Sequence, residues 1–181
     1  MDRRKALSLT AATLGGTIIG SELFLSGCTS PDKPDTVFTE GTIKLLDEIG
    51  ETILPESDQS PGAKEARIGA FMKTIVNDCY SAEESEIFHH GIRILQEASQ
   101  STYGYDFLSI TASERQTLLV KFDSVARKNT SETHFFTMMK QLTIWGYFTS
   151  ETGATQALRY NQIPGRYEGC LPYTGENAWA R

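Results

Sequence analysis

His89, His90 and His134 are the side chains of this sequence best able to hold a metal or move a proton. Neighbouring residues on a helix point about 100° apart, so His89 and His90 do not readily face one ion. Two histidines four residues apart beside a carboxylate would make a metal site, and that spacing does not occur. The three are therefore expected to be exposed or to cap helices. Carboxylates cluster at Asp47, Glu48 and Glu51 and at Glu83, Glu84 and Glu86. General acid–base work would need two of them to converge on one cavity. Their places at helix starts and on polar faces point instead to solvation and to the helix macrodipole. Met138, Met139 and Trp145 read as core packing. The sequence has no Gly-rich phosphate loop, dinucleotide fingerprint, nucleophile elbow, four-cysteine ligand set or haem-attachment Cys-x-x-Cys-His. No catalytic, cofactor-binding or metal residue is assigned to this chain.

The three cysteines divide by position. Cys28 follows a basic head, Met1-Asp-Arg-Arg-Lys5, and an apolar run from Ala6 to Leu25 broken by threonines, glycines and Glu22. A basic head before a short apolar stretch is the pattern of an export signal, here assigned to residues 1–27. The run is too polar for a permanent membrane span. Arg3-Arg4 is a twin arginine of the kind that directs folded proteins to export. Leu25-Ser-Gly-Cys28 looks like a bacterial lipobox, with Cys28 the thiol that takes the lipid. Thr29 follows in place of aspartate, which slightly favours the outer membrane. Residues 28–37, rich in Pro, Ser and charge, make a tether. Cys79 and Cys170 remain. In an oxidising compartment they have three fates: a bond to each other, a bond to a partner chain, or free thiols. An intrachain bond would contribute about 4–5 kcal/mol on the chain-entropy model.

The elements that must position these residues are helices. Loss of residues 1–27 leaves 154 residues, enough for one core over 38–181. The leader carries Arg3, Arg4 and Lys5 against Asp2 and Glu22, so the net charge of −6 becomes −7 in the mature chain. An acidic chain without a basic run excludes nucleic acid as a partner. Thr39 is placed to cap a first helix with Ile43, Leu46, Ile49 and Ile53 on one face, ended by Pro55. A second carries Ile68, Met72, Ile75, Val76 and Cys79. Ser81-Ala-Glu-Glu84 and Thr111-Ala-Ser-Glu114 are capping boxes opening a third and a fourth helix, the latter with Leu118, Leu119, Phe122, Val125 and Ala126 inward. Ser131 or Thr133 is expected to begin a fifth, with Phe135, Met138, Met139, Leu142, Trp145 and Phe148 as its apolar side. A short sixth falls near Glu151 to Leu158, and no alternating strand pattern appears. The fold class is all-α, a single domain of five to six helices with an irregular aromatic tail from Ile163 to Arg181. That tail carries Arg166, Tyr167, Tyr173 and Trp179, candidate contacts to a partner.

Five segments together resemble the gluconate 2-dehydrogenase subunit 3 family. They are the twin-arginine head; Leu45-Leu-Asp-Glu-Ile-Gly-Glu-Thr-Ile-Leu-Pro55 with Ser60-Pro-Gly-Ala63; Val76-Asn-Asp-Cys-Tyr80; Gly146-Tyr-Phe-Thr-Ser-Glu-Thr-Gly153; and Ile163-Pro-Gly-Arg-Tyr-Glu-Gly-Cys-Leu-Pro172. The resemblance implies a small subunit of a membrane-associated dehydrogenase. Its catalytic partner would be a large flavoprotein of the glucose-methanol-choline class that oxidises sugars or sugar acids, with FAD in that partner. A cytochrome c subunit often takes the electrons. The small subunit would escort the flavoprotein through export, which gives Arg3 and Arg4 their role. Cys28 adds a lipid anchor that the family does not require, placing the complex on the periplasmic side of the envelope. The alternative is a free-standing envelope lipoprotein with its own sugar-directed activity.

Overall fold

The computed structural model describes residues 38–128, 133–163, 165, 170 and 172–180. The export head with Arg3, Arg4 and Cys28, the tether, and Arg166 and Tyr167 lie outside the described residues.

Among the described residues five α-helices form, four of them starting at a capping side chain. Helix α1, Glu40–Ile53, begins where Thr39 accepts a hydrogen bond from the Thr42 amide. Helix α2 is Ile68–Asp78. Helix α3, Ala82–Tyr103, opens on a complete box: the Glu84 amide donates to Ser81 Oγ and the Ser81 amide to Glu84 Oε2. It closes on Gly104 at φ 78°, a left-handed geometry that favours glycine. Helix α4, Ala112–Lys128, opens on the same reciprocal pair between Thr111 and Glu114. Helix α5, Phe135–Thr149, starts later than the sequence suggests. Thr133 does not cap it; His134 does, its Nδ1 accepting from the Phe136 amide at 3.1 Å. Ser131 lies outside the described residues.

Helix α5 is the centre, packing against each of the other four. Phe135, Phe136, Met138, Met139 and Leu142 are buried on it, against Leu46 and Ile49 of α1, Met72 of α2, Phe88 and Leu95 of α3, and Leu118 of α4 in one core. The Met138–Met139 pair is thus core, as expected. Two crossings require glycine because the partner leaves no room for a Cβ. At Gly91 it would meet the Phe135 ring, and at Gly69 the Ile43 backbone carbonyl.

The structure departs from expectation elsewhere. Val125 is exposed, as are Trp145 and Phe148. The short sixth helix forms where expected, as a π-helix, Gly153–Ala157. The tail is not wholly irregular, since β1 (Arg159–Tyr160) pairs in parallel with β2 (Trp179–Ala180). Cys79 sits past the end of α2 as its C-cap and is exposed, not inward. His89 is neither exposed nor a cap but packs edge-on against Phe38, with ring centroids 5.0 Å apart.

Candidate functional site

Among the described residues the carboxylates of α1 are a cluster that could be mistaken for an active site. Asp47, Glu48 and Glu51 project from one side of the helix. Helix α2 lacks a cap of its own: Arg67 stands before it at φ 53°, ψ 49° and makes no side-chain capping bond. Asp47 supplies one from the neighbouring helix, its Oδ1 accepting the Gly69 amide at 2.7 Å. Glu48 pairs with Arg115 of α4 through Oε1 and with Lys64 at 2.8 Å through Oε2. Glu51 accepts the Glu56 amide at 3.0 Å and the Lys64 amide at 2.9 Å. Arg115 also donates to the carbonyls of Phe107 and Leu108, at 3.0 and 2.9 Å. From the far side of the loop, Tyr147 of α5 donates its hydroxyl to the Pro61 carbonyl at 2.5 Å. Beyond it, Ser150 Oγ accepts the Gly153 amide at 3.0 Å.

Two of the five segments singled out in the sequence therefore meet here, Leu45–Pro55 with Ser60–Ala63 and Gly146–Gly153. The loop 54–67 is fastened to α1 by carboxylates and to α5 by a phenol. Open grooves border the cluster, one lined by Glu48, Glu51, Pro55, Arg115 and Gln116, another by Glu51, Glu56, Lys64 and Gln156. Of the carboxylates on those grooves, Glu48 is bonded to cations and Glu51 to backbone amides, which suits them to holding helices rather than to proton transfer. Among the described residues no group of three or more His, Cys, Asp or Glu is placed to hold a metal ion.

Burial alone would raise the Glu48 carboxyl, but the Lys64 and Arg115 bonds and charges outweigh it and hold it below its ordinary 4.5. The Lys140 hydrogen bond lowers Asp123 from 3.8, and the backbone and side-chain bonds of the capping boxes lower Glu84 and Glu114. Asp47 goes the other way, raised by burial against the pull of the Gly69 amide. A carboxyl whose folded pKa is depressed contributes stability above its unfolded value and loses it as pH falls through the folded one. A raised carboxyl loses its contribution as pH rises. The depressed groups outnumber Asp47, so the urea midpoint is expected to fall on acidification from about pH 6 to about pH 3. A midpoint that holds or rises over that range would contradict these assignments. Burial also lowers His134, keeping its ring neutral and able to accept at the α5 cap.

The cysteines are not joined: Cys79 and Cys170 are both free, exposed thiols. Of the candidate tail contacts, Tyr173 is 84 % exposed and Trp179 45 % exposed. Trp179 is partly used within the chain. The Arg159 guanidinium lies 4.0 Å from its ring centroid, Arg159 pairs with Glu176, and the Arg159 amide donates to the Ala178 carbonyl. This closes the base of the segment that carries Ile163, Cys170 and Tyr173.

Sequence reasoning missed a set of exposed side chains on α5. Ile144, Trp145 and Phe148 are 42 %, 53 % and 36 % exposed. The signal was weak, because apolar residues spread over most of the circumference of α5, interrupted only by Thr137, Lys140, Gln141 and two further threonines. Among the described residues no helix is long and apolar enough to cross a membrane.

A family model described as gluconate 2-dehydrogenase subunit 3 matches residues 40–165, well over half of the chain. No curated protein and no solved structure matches it.

Proposed function

Because the chain belongs to the gluconate 2-dehydrogenase subunit 3 family, we propose that it is the non-catalytic small subunit of a membrane-associated sugar or sugar-acid dehydrogenase. In this reading a large flavoprotein of the glucose-methanol-choline class carries the FAD and the oxidation chemistry, and passes its electrons to a separate acceptor, in many such complexes a cytochrome c subunit. The small subunit escorts that flavoprotein through export, stabilises it and anchors it. Arg3 and Arg4 engage the export machinery, and lipid on Cys28 holds the complex at the periplasmic face of the envelope. Tyr173 and Trp179, with Arg166 and Tyr167, form tail contacts to the flavoprotein.

The family match over 40–165 carries this reading. Two features support it. The clustered carboxylates of α1 are spent on fastening α2 and the loop before it. A flavoprotein that binds its cofactor in the cytoplasm must cross the membrane folded, and a twin arginine on a companion chain supplies that route.

Affinity purification of the tagged full chain from its host tests the proposal. Recovery of a larger, flavin-absorbing protein with sugar dehydrogenase activity is the expected result. A colourless monomer would overturn it, and so would dehydrogenase activity in the isolated small chain.

A further inference from the structure

Of the large hydrophobic side chains exposed among the described residues, seven of eleven lie between Ile144 and Trp179, so exposed apolar surface is concentrated towards one end of the chain. Its ordered part is on α5. The outward residues Thr137, Gln141, Ile144, Trp145 and Phe148 recur at helical spacing and form one stripe. None is charged, although 22 % of the chain is. Depletion of charge around aromatic anchors marks the core of a protein interface rather than a solvated face. Phe71 of α2 stands edge-on to Trp145, with ring centroids 5.5 Å apart and planes at 85°. That contact holds the indole in place before any partner arrives, so little side-chain entropy remains to be lost on docking.

Resting on the subunit reading above, we propose that this stripe, Ile144, Trp145 and Phe148 flanked by Phe71, seats the large catalytic subunit through an apolar, uncharged patch on that subunit. Charge selects this occupant. A second copy would bring one acidic chain against another, and their long-range fields repel. An anionic bilayer is repelled likewise, and Lys140, the one cation bordering the stripe on α5, is held by Asp123 at 2.7 Å rather than offered to lipid headgroups as on an interfacial helix. A different polypeptide with a matching neutral patch meets neither obstacle. The family description, a subunit of a dehydrogenase, requires that such a polypeptide exist.

The test compares three tagged full-length chains purified from the host: the unaltered chain, Trp145→Gln/Phe148→Ser, and Val120→Ser/Val125→Ser. The last removes apolar side chains from α4 that are 57 % and 54 % exposed and serves as the matched control. Flavin absorbance per small subunit is read, with thermal unfolding to confirm that each variant is folded. The α5 variant should retain at least about tenfold less flavoprotein than the control. Equal recovery by all three chains would overturn the stripe and leave the subunit reading standing. No flavoprotein with the unaltered chain would overturn both. Sedimentation of the unaltered chain as a dimer that the α5 variant abolishes would reassign the stripe to a second copy. Flotation with phosphatidylglycerol vesicles, lost in the α5 variant with the Cys28 lipid absent from both, would reassign it to the membrane.

Discussion

Replacing Arg115 by methionine is expected to lower the unfolding free energy by about 3–5 kcal/mol. Arg115 and Glu48 are the least exposed ion pair described, with side chains 15 % and 19 % accessible. The guanidinium satisfies more than the carboxylate, since its other nitrogens hold the Phe107 and Leu108 carbonyls in the α3–α4 connection. Removing it leaves a half-buried anion and the part-buried Phe107 carbonyl without this donor, and a lost partner costs more than the pair itself contributes. Lys64, with its side chain 59 % exposed, stays on the other carboxylate oxygen and moderates the loss. Urea denaturation gives the number, and the double change Glu48→Leu/Arg115→Met separates the two parts. If the stranded charge dominates, the double variant recovers much of the loss. A single-variant loss below about 1 kcal/mol would place the pair with surface ion pairs and contradict its role as a fastener.

Gly69→Ala should cost about 2–3 kcal/mol, although helix propensity alone would favour alanine by about 0.5–1 kcal/mol. The new methyl would press on the Ile43 carbonyl and the Asp47 carboxylate. The carbonyl is backbone within α1 and has no rotamer to escape into. Relief requires α2 to move away from α1, which lengthens the 2.7 Å bond from the Gly69 amide to Asp47. Gly41 is the control: it lies in the exposed first turn of α1, where the nearest atom to an added Cβ is Thr39 Oγ1 at 3.7 Å. Gly41→Ala should be neutral or slightly stabilising by the same urea measurement. A neutral Gly69→Ala would show that the α1–α2 crossing is looser than the geometry implies.

What was legible in the sequence was local. The Ser81–Glu84 and Thr111–Glu114 boxes are complete within four residues, so the helix starts they set are where they were expected. The inward faces of α1, and of α2 apart from Cys79, follow from periodicity in the same way. The fasteners of the carboxylate cluster join residues 22 and 67 apart in the chain, and no spacing rule reaches that far. Phe148 and Trp145 turn outward although they are apolar, because apolar residues spread over most of α5 and leave little pattern from which to choose its outward side. His134 was named as a capping candidate, but Ser131 and Thr133 are commoner caps and drew the start of α5 too early. The tail pairing rests on Arg159 covering Trp179, a contact with no periodic signature. Tyr173 and Trp179 were picked out by residue type alone, and both are exposed.

The cap that Asp47 lends to α2 also bears on how the domain comes apart. Helix α2 has 11 residues, too few to persist alone in water. Its first amides are satisfied by another helix, and the loop leading into it is tied to that same helix through Glu51. It therefore has no separate equilibrium of its own. Opening α1 removes the support of α2, and fraying α2 from its start leaves a partly buried carboxylate without its donor. Helix α1, the loop and α2 make one cooperative unit, with Asp47 as the joint that lets neither half unfold first.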